Sequence, residues 1–300
     1  MASPASGNSC ECAWHRIDPD VVLSIVLAVA ASMANAVASV LQRKAARERP
    51  ESEAFEFRLL WHLVRQRAWL GGITAMICGF VLQAAALGTG PIALVQPILI
   101  LELGFTLVLS GFVFHTGLRA REWLAVAGMS VGVALLLFAL RPTGGNPSAV
   151  SGWTWALASA VTVGVVGVLA LVGYRARDTG RAAYLGVATG IDFGFTAALI
   201  AGITAGGLSH LFLDWQTYAL VVAGPAGFFL LQNALQSGRL VASQPGLTLS
   251  NPLTALGWGV AVFGEQAQAG GWIVLAVVGV AFIAVCTVLL GRSLSLQDSG

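Results

Sequence analysis

Nine long apolar segments dominate this chain of 300 residues and restrict what it can fold into. A helix needs roughly 20 apolar residues to cross about 30 Å of hydrocarbon. Because a backbone in lipid must satisfy its own hydrogen bonds, runs of this length favour helices over barrel strands. The segments lie near residues 21–42, 68–88, 91–114, 123–140, 153–173, 182–205, 217–236, 239–263 and 271–290. We therefore predict an all-α, polytopic membrane helix bundle of about nine spans.

The composition agrees with a membrane protein and gives no sign of an enzyme. The chain is 57% hydrophobic and 10% charged, whereas a soluble domain is about 45–50% apolar and about 25% charged. A net charge of +2 gives no reason to expect a nucleic-acid partner. The sequence contains no phosphate-cradling lysine loop, paired-histidine motif or hydrolase elbow. We expect no catalytic residues and no cofactor, and the sequence leaves a metal site undetermined.

The basic residues are distributed unevenly between the predicted loops. Of the 16 Lys and Arg residues, 14 fall on one side of the membrane, and seven of these lie between the first two spans. Positively charged loops stay in the cytoplasm. This predicts a multi-pass protein of the cell (plasma) membrane, with an extracytoplasmic N-terminal tail at 1–20, a basic cytoplasmic loop at 43–67 and a cytoplasmic C-terminal tail at 291–300.

Two stretches of the chain repeat each other without a gap. Residues 79–97 read GFVLQAAALGTGPIALVQP, and residues 227–245 read GFFLLQNALQSGRLVASQP. The offset of 148 matches Gly79 with Gly227 and Pro97 with Pro245. The spans that separate the copies are odd in number, so the copies run in opposite directions, as in many secondary transporters. We predict an inverted 4+5 repeat: four spans in residues 21–140, a linker at 141–152 and five spans in residues 153–290.

The arrangement resembles the drug/metabolite transporter superfamily, in particular its EamA-like members. The second half carries Gln244-Pro245, Asn251-Pro252, Phe263-Gly264-Glu265 and a final span with Gly279. The first half carries Gln96-Pro97 and a span with Gly128 and Gly132, while His115-Thr116-Gly117 stands where Gly-Glu would be expected. A total of nine spans, instead of the usual ten, resembles the NIPA-type branch of this superfamily. The resemblance implies the transport of a small metabolite or drug, or of magnesium in the NIPA-type case.

Two acidic residues, Glu102 and Asp192, lie well inside predicted spans. A charged acid at that depth costs roughly 2.5–3.5 kcal/mol on insertion scales, so each must face a cavity, find a partner or hold its proton. Glu102 is interpreted as a proton-exchanging site residue, the alternative being a structural acid bonded to a neighbouring helix. Asp192 either faces a polar space or bonds to Thr189 or Thr196 on its own helix face. Gly186, Gly190 and Gly194 lie on another face and allow close helix packing.

The remaining candidate residues for binding a substrate or ion lie in the proline-bearing spans. A proline removes one backbone donor and frees a carbonyl, which can bind a substrate where it lines water. Glu265 is expected to cap a helix end. In addition to Glu102 and Asp192, the candidates are Gln96, Pro97, Gln244, Pro245 and Asn251.

The favoured function is a secondary transporter, or permease, for a small metabolite or drug, with ion- or proton-coupled export by alternating access. One alternative is a magnesium or divalent-cation transporter of NIPA type, in which Glu102 and Asp192 supply the carboxylates. A further alternative is a membrane accessory protein that transports nothing. The expected partners are the lipid bilayer, a small-molecule or ion substrate and a second copy of the chain in a homodimer.

Overall fold

The computed structural model describes residues 19–47, 67–114, 120–176, 178–236, 240–268 and 270–297, and these are almost entirely helical. The first half contains α1 (Pro19–Arg47), α2 (Arg67–Thr89), α3 (Ile92–Leu99), α4 (Leu101–Val113) and α5 (Ala120–Leu140). The second half contains α6 (Gly152–Arg175), α7 (Asp178–Gly206), α8 (Trp215–Gln236), α9 (Leu240–Ala261) and α10 (Trp272–Gln297). An all-α polytopic bundle is therefore confirmed.

Each of the nine predicted segments corresponds to a helix or, in one case, to a pair of helices. Within the described residues, seven segments are long and apolar enough to cross a membrane: α1, α2, α3 with α4, α5, α6, α7 and α10. The chain is therefore a multi-pass membrane protein. Helices α8 and α9 have 22 residues each, and the side chains at one end of each lie outside the described part of the structure. A count of nine spans stays a prediction.

The helices of the two halves have similar neighbours. In the first half α1 packs on α2 and on α3 and α4, and in the second half α7 packs on α8 and α9. Between the halves, α3 packs against α9, and α5 packs against α10. Helix α6 packs on α7. Its Trp155 also reaches the end of α9, where its ring centroid lies 5.2 Å from that of Trp258 and 5.4 Å from that of Phe263. The core is centred on α3, whose residues from Ile92 to Ile98 are all buried.

The predicted linker at 141–152 is an ordered part of the structure. Its strand β1 (Thr143–Gly144) pairs antiparallel with β2 (Glu265–Gln266). The Asn146 backbone N–H also donates to the Phe263 carbonyl at 2.9 Å. The sequence indicated a linker here because glycines and prolines are frequent, and this segment pairs with a loop of the second half.

Both predicted tails are shorter than expected, because the first and last helices extend into them. Helix α1 begins at Pro19, inside the predicted N-terminal tail, because proline is favoured in the first turn of a helix. Helix α10 continues to Gln297, since no proline interrupts the predicted C-terminal tail. Most of the loop predicted at 43–67 and the remainder of the N-terminal tail lie outside the described residues.

Candidate functional site

The start of helix α3 is held by a carboxylate from the opposite half of the chain. The Ile92 N–H donates to Glu265 Oε1 at 2.6 Å, and the Ala93 N–H donates to Glu265 Oε2 at 3.0 Å. Pro91, the residue before the helix, offers no side-chain cap of its own. The first N–H groups of a helix have no partner within it and attract negative charge. Glu265 is therefore a helix cap, as predicted, and it joins the two repeats.

The Glu265 side chain is enclosed by backbone that leaves little room around it. Only 5% of the surface of Glu265 is exposed. A Cβ on Gly259 would overlap Glu265 Oε2, and a Cβ on Gly145 would lie 2.5 Å from Glu265 Cγ. Burial raises the pKa of Glu265 to about 7, while the bonds from Ala93 and Ile92 act in the opposite direction. Glu265 thus changes its charge in the neutral pH range.

A cavity of about 440 Å³ lies beside this cap. It is lined by the beginning of α1, the turn between α2 and α3, the segment after α5, the end of α7 and the loop after α9. Asp20 and Glu265 are its acids, and of the described residues that line it none is basic. The other polar side chains of the lining are Thr89, Thr143, Asn146 and Ser148. The charged side chains of the cavity are therefore acidic, and both halves of the chain contribute to its lining.

A second cavity, of about 290 Å³, lies between α3, α5, α9 and α10. Pro97 and Pro252 line it together with leucine, isoleucine, valine and alanine side chains. None of the described residues that line it has a polar side chain. Pro97 thus lines an apolar cavity. Helix α3 ends two residues after it, at Leu99.

Glu102 lies in the first turn of α4 and turns toward α1. Its carboxylate accepts a hydrogen bond from the Asn35 side chain. Asn35 also lies against Gly79 of α2, where a Cβ would overlap its Oδ1 atom. Glu102 lines neither of the two cavities described here. The structure thus gives Glu102 a partner on a neighbouring helix, which is one of the two alternatives that the sequence left open.

Asp192 lies at the midpoint of α7 and turns toward α8. It is 6% exposed, and its Oδ2 atom has no hydrogen-bond partner. A Cβ on Gly227 of α8 would overlap this oxygen. The two threonines of the predicted local bond donate elsewhere, Thr189 to the Leu185 carbonyl and Thr196 to the Phe193 carbonyl. That alternative is wrong, because each hydroxyl bonds to the backbone of its own helix.

The glycine face of α7 packs closely on α9, as the spacing predicted. A Cβ on Gly190 would lie 2.7 Å from the Leu247 carbonyl oxygen, and one on Gly194 would lie 2.7 Å from the Asn251 carbonyl oxygen. Glu102 and Asp192 therefore have different neighbours, α1 and α8. The structure does not bring these two carboxylates together, and among the described residues no group of three His, Cys, Asp or Glu could hold a metal ion.

The other candidates lie on the contacting helices α3 and α9. Gln96 is 2% exposed, and its Nε2 atom lacks a partner. Asn251 Oδ1 is likewise buried without a partner. The side chains of Gln244 and Pro245 lie outside the described part of the structure, although their backbone belongs to α9. Two buried amide atoms without partners thus lie on the central helix pair.

Three polar residues of these sites were missed from the sequence: Asn35, Asp20 and Asn146. Asn35 is a polar side chain in an apolar span, which is a signal that could have been used. Asp20 and Asn146 lie at segment ends, where polar residues are common, so nothing in their spacing indicates a shared cavity.

Comparison with known proteins gives one relative over nearly the whole chain. A protein of Corynebacterium glutamicum is 29% identical over 280 residues, which cover 91% of this chain and 96% of that protein, and it is named only as an uncharacterized protein. No protein-family model matches the chain, and no solved structure matches it. The relative has a similar length, and its name assigns no activity.

Proposed function

We propose that this protein is a secondary transporter of polar, cationic or neutral small molecules, similar in design to the drug/metabolite transporters. Its two halves would move against each other around the α3–α9 contact, exposing the cavity beside Glu265 to each side of the membrane in turn. The observation that carries the proposal is the cavity of about 440 Å³, which both halves enclose around the capped start of α3.

The packing of equivalent helices supports an inverted repeat. The offset of 148 pairs α2 with α8, and α3 with α9. Helices α3 and α9 contact each other, as do α5 and α10, so two equivalent pairs meet at the boundary between the halves. A Cβ on Gly132 would lie 2.9 Å from the Gly279 carbonyl oxygen, and one on Gly279 would lie 2.8 Å from the Gly132 carbonyl oxygen. The backbones of α5 and α10 thus approach each other closely at the boundary between the halves.

The chemistry of the cavity favours a cationic or neutral polar substrate over an anion. Its acids are Asp20 and Glu265, and its hydroxyl and amide groups can accept hydrogen bonds from an ammonium or hydroxyl group. An anion would be repelled by the carboxylates and would find no basic side chain among the described lining residues. The predicted orientation opens this cavity to the extracytoplasmic side.

A flux assay with purified protein in sealed vesicles tests the proposal. The panel contains organic amines, neutral polar metabolites, organic anions and Mg²⁺, and uptake is measured with and without a pH gradient. We expect saturable uptake of an amine or a neutral metabolite that Asp20→Asn weakens and that Asp214→Asn, outside the cavity, leaves unchanged.

Two results would contradict this proposal. Uptake of Mg²⁺ alone would favour the divalent-cation alternative, and no flux of any compound by a correctly folded protein would favour an accessory role.

A further inference from the structure

Helices α7 and α8 pack against each other along one narrow face of α8, and the contact, here named the α7–α8 seam, encloses one acidic side chain. The buried residues of α8 in this seam are Ala223, Gly227, Leu230 and Ala234. Their spacing of four, three and four residues marks one face of a helix. Leu230 and Ala234 pack with Leu185 and Ala188 of α7. Asp192 is the acid in this seam, and its Oδ2 atom lies against Gly227.

The two halves of the chain place a polar side chain over the same glycine of the repeat. Asn35 lies against Gly79 in the first half, and Asp192 lies against Gly227 in the second. These glycines are equivalent at the offset of 148. In the first half the Asn35 amide donates to Glu102. At the position equivalent to Glu102 the second half has Ser250, whose hydroxyl donates to the Gly246 carbonyl of its own helix at 2.5 Å. The acid of the second half is therefore on α7.

Among the described residues of the surrounding elements, no charged group faces Asp192 across the seam. Helices α3 and α9 contain no charged or titratable residue. On α7 itself the nearest basic residue is Arg181, about 16 Å away along the helix axis at 1.5 Å per residue. Arg67 and Cys78 belong to α2, which approaches α7 near Thr204. The other titratable residues of α7 and of the elements packed on it lie toward element ends: Tyr174, Arg175, Asp178, Tyr184, His210, Asp214 and Tyr218.

An ionised carboxylate in this position would be a buried charge without a countercharge and with an unbonded oxygen. Burial of such a charge is strongly unfavourable, and the group usually becomes neutral instead. A proton on Asp192 removes the charge and leaves a small neutral group beside Gly227. Release of the proton then requires that water reach the seam.

Helix α8 is built so that it can admit water to the seam. Outside its narrow buried face it is exposed, with Val221, Val222, Phe228 and Phe229 each at least 57% accessible. It packs mainly on α7 and only lightly on α9. Pro225 lacks the N–H that would bond to the Val221 carbonyl, so the helix has a weak point two residues from Gly227.

We propose that Asp192 is a proton-binding site, closed by α8, that takes up and releases one proton when the α7–α8 seam opens. The site rests on the geometry alone. Its use in driving transport rests on the proposed function, where it would carry the coupling proton in place of Glu102, which already has a partner.

Chemical labelling tests the site without any knowledge of the substrate. A membrane-soluble carbodiimide reacts with protonated carboxyl groups in apolar surroundings. Full-length protein in lipid nanodiscs is labelled over a pH range from about 5 to 9, and peptide mass mapping locates the adduct. We expect a pH-dependent adduct on Asp192 that Asp192→Asn removes and Glu102→Gln retains. An adduct confined to Glu102 or Glu265, or no adduct on Asp192 at any pH, would overturn the proposal.

Infrared titration provides a readout that does not require reagent access. The wild-type protein should show the carbonyl band of protonated carboxylic acids, to which Glu265 also contributes. One component of this band should be lost in Asp192→Asn and kept in Glu102→Gln. Persistence of the full band in Asp192→Asn contradicts the site. Peptide mapping of the wild type decides the matter even if Asp192→Asn does not fold.

Vesicle flux then separates the site from its role in transport. Asp192→Asn should exchange substrate across the membrane but lose accumulation driven by a pH gradient, whereas Glu102→Gln should keep both. If no substrate is transported at all, the proposed function fails while the labelling result still stands. If Asp192→Asn keeps full gradient-driven accumulation, the coupling role is wrong.

Discussion

Glu265 and Asn35 are single polar side chains that hold together helices distant in the sequence. Glu265 bonds to the N–H of Ile92 across 173 residues, and Asn35 bonds to Glu102 on α4. The sequence indicated that Glu265 caps a helix, because it lies in a loop at the end of an apolar span. It could not indicate which helix, since a cap from another half depends on how the halves pack.

Replacement of Glu265 tests this cap. In Glu265→Ala two N–H groups of α3 lose their acceptor, and a buried unsatisfied group costs about 1–3 kcal/mol. We therefore expect a lower unfolding temperature in detergent for Glu265→Ala, and a smaller loss for Glu265→Gln, which retains one acceptor oxygen. Gln266→Ala, an exposed neighbour, is the control. An unchanged unfolding temperature in Glu265→Ala would remove the cap from the stabilising contacts.

The stability of this contact should depend on pH. The folded state binds the Glu265 proton more tightly than the unfolded chain does, since the pKa rises from 4.5 to about 7 on burial. Its contribution is therefore full below about pH 4.5 and is lost as the pH rises through about 7. Relative to the wild type, Glu265→Gln should gain stability between about pH 5 and 8 in thermal unfolding measured at each pH. A difference that stays constant or changes in the opposite direction contradicts this assignment.

The proline-bearing helices behave differently in the two halves. Helix α3 ends two residues after Pro97 and the chain resumes as α4, whereas α9 is continuous through Pro245 and Pro252. The repeat in the sequence matches Pro97 with Pro245. Neighbouring helices decide whether a proline breaks a membrane helix, because they can satisfy the carbonyl that it frees. The outcome is thus a property of packing and could not be read from the matching prolines.

The contact between α5 and α10 provides a test at the level of helices. A methyl group added at Gly132 meets the Gly279 carbonyl oxygen and Ile283 Cγ1, each at 2.9 Å. Overpacking of this kind costs typically 1–3 kcal/mol. Gly132→Ala should therefore lower the unfolding temperature, whereas Gly164→Ala on α6, with nothing within 4 Å of the added methyl, should not. Equal unfolding temperatures for both variants would mean that α5 and α10 do not pack this closely.

In the whole molecule, the cavity beside Glu265 brings together ends of helices that the charge distribution assigns to one side of the membrane. The start of α1 and the ends of α2, α5, α7 and α9 all contribute to it or adjoin it. This arrangement agrees with the segmentation of the sequence, because one missed span would place some of these ends on the opposite side.

Cysteine labelling tests the predicted orientation. In a variant whose four native cysteines are replaced by serine, Ser148→Cys should react with a membrane-impermeant thiol reagent in intact cells. Ala120→Cys should react only after the membrane is opened, since the distribution of basic residues predicts that this end of α5 lies in the cytoplasm. The reverse pattern would invert the topology, and labelling of both positions in intact cells would mean that the number of spans between them is wrong.

The sequence by itself determined the helices, the membrane class and the duplicated unit, because the length and apolarity of a segment are local properties. It also placed the glycines of α7 on a packing face, since helical spacing fixes which residues share a face. Only the tertiary structure decided the partner of each polar side chain. Glu102 found an amide on α1, Glu265 capped the opposite half and Asp192 kept an oxygen without a partner. These outcomes depend on how each helix is rotated and which helix lies beside it, and a pattern within one segment does not contain that information.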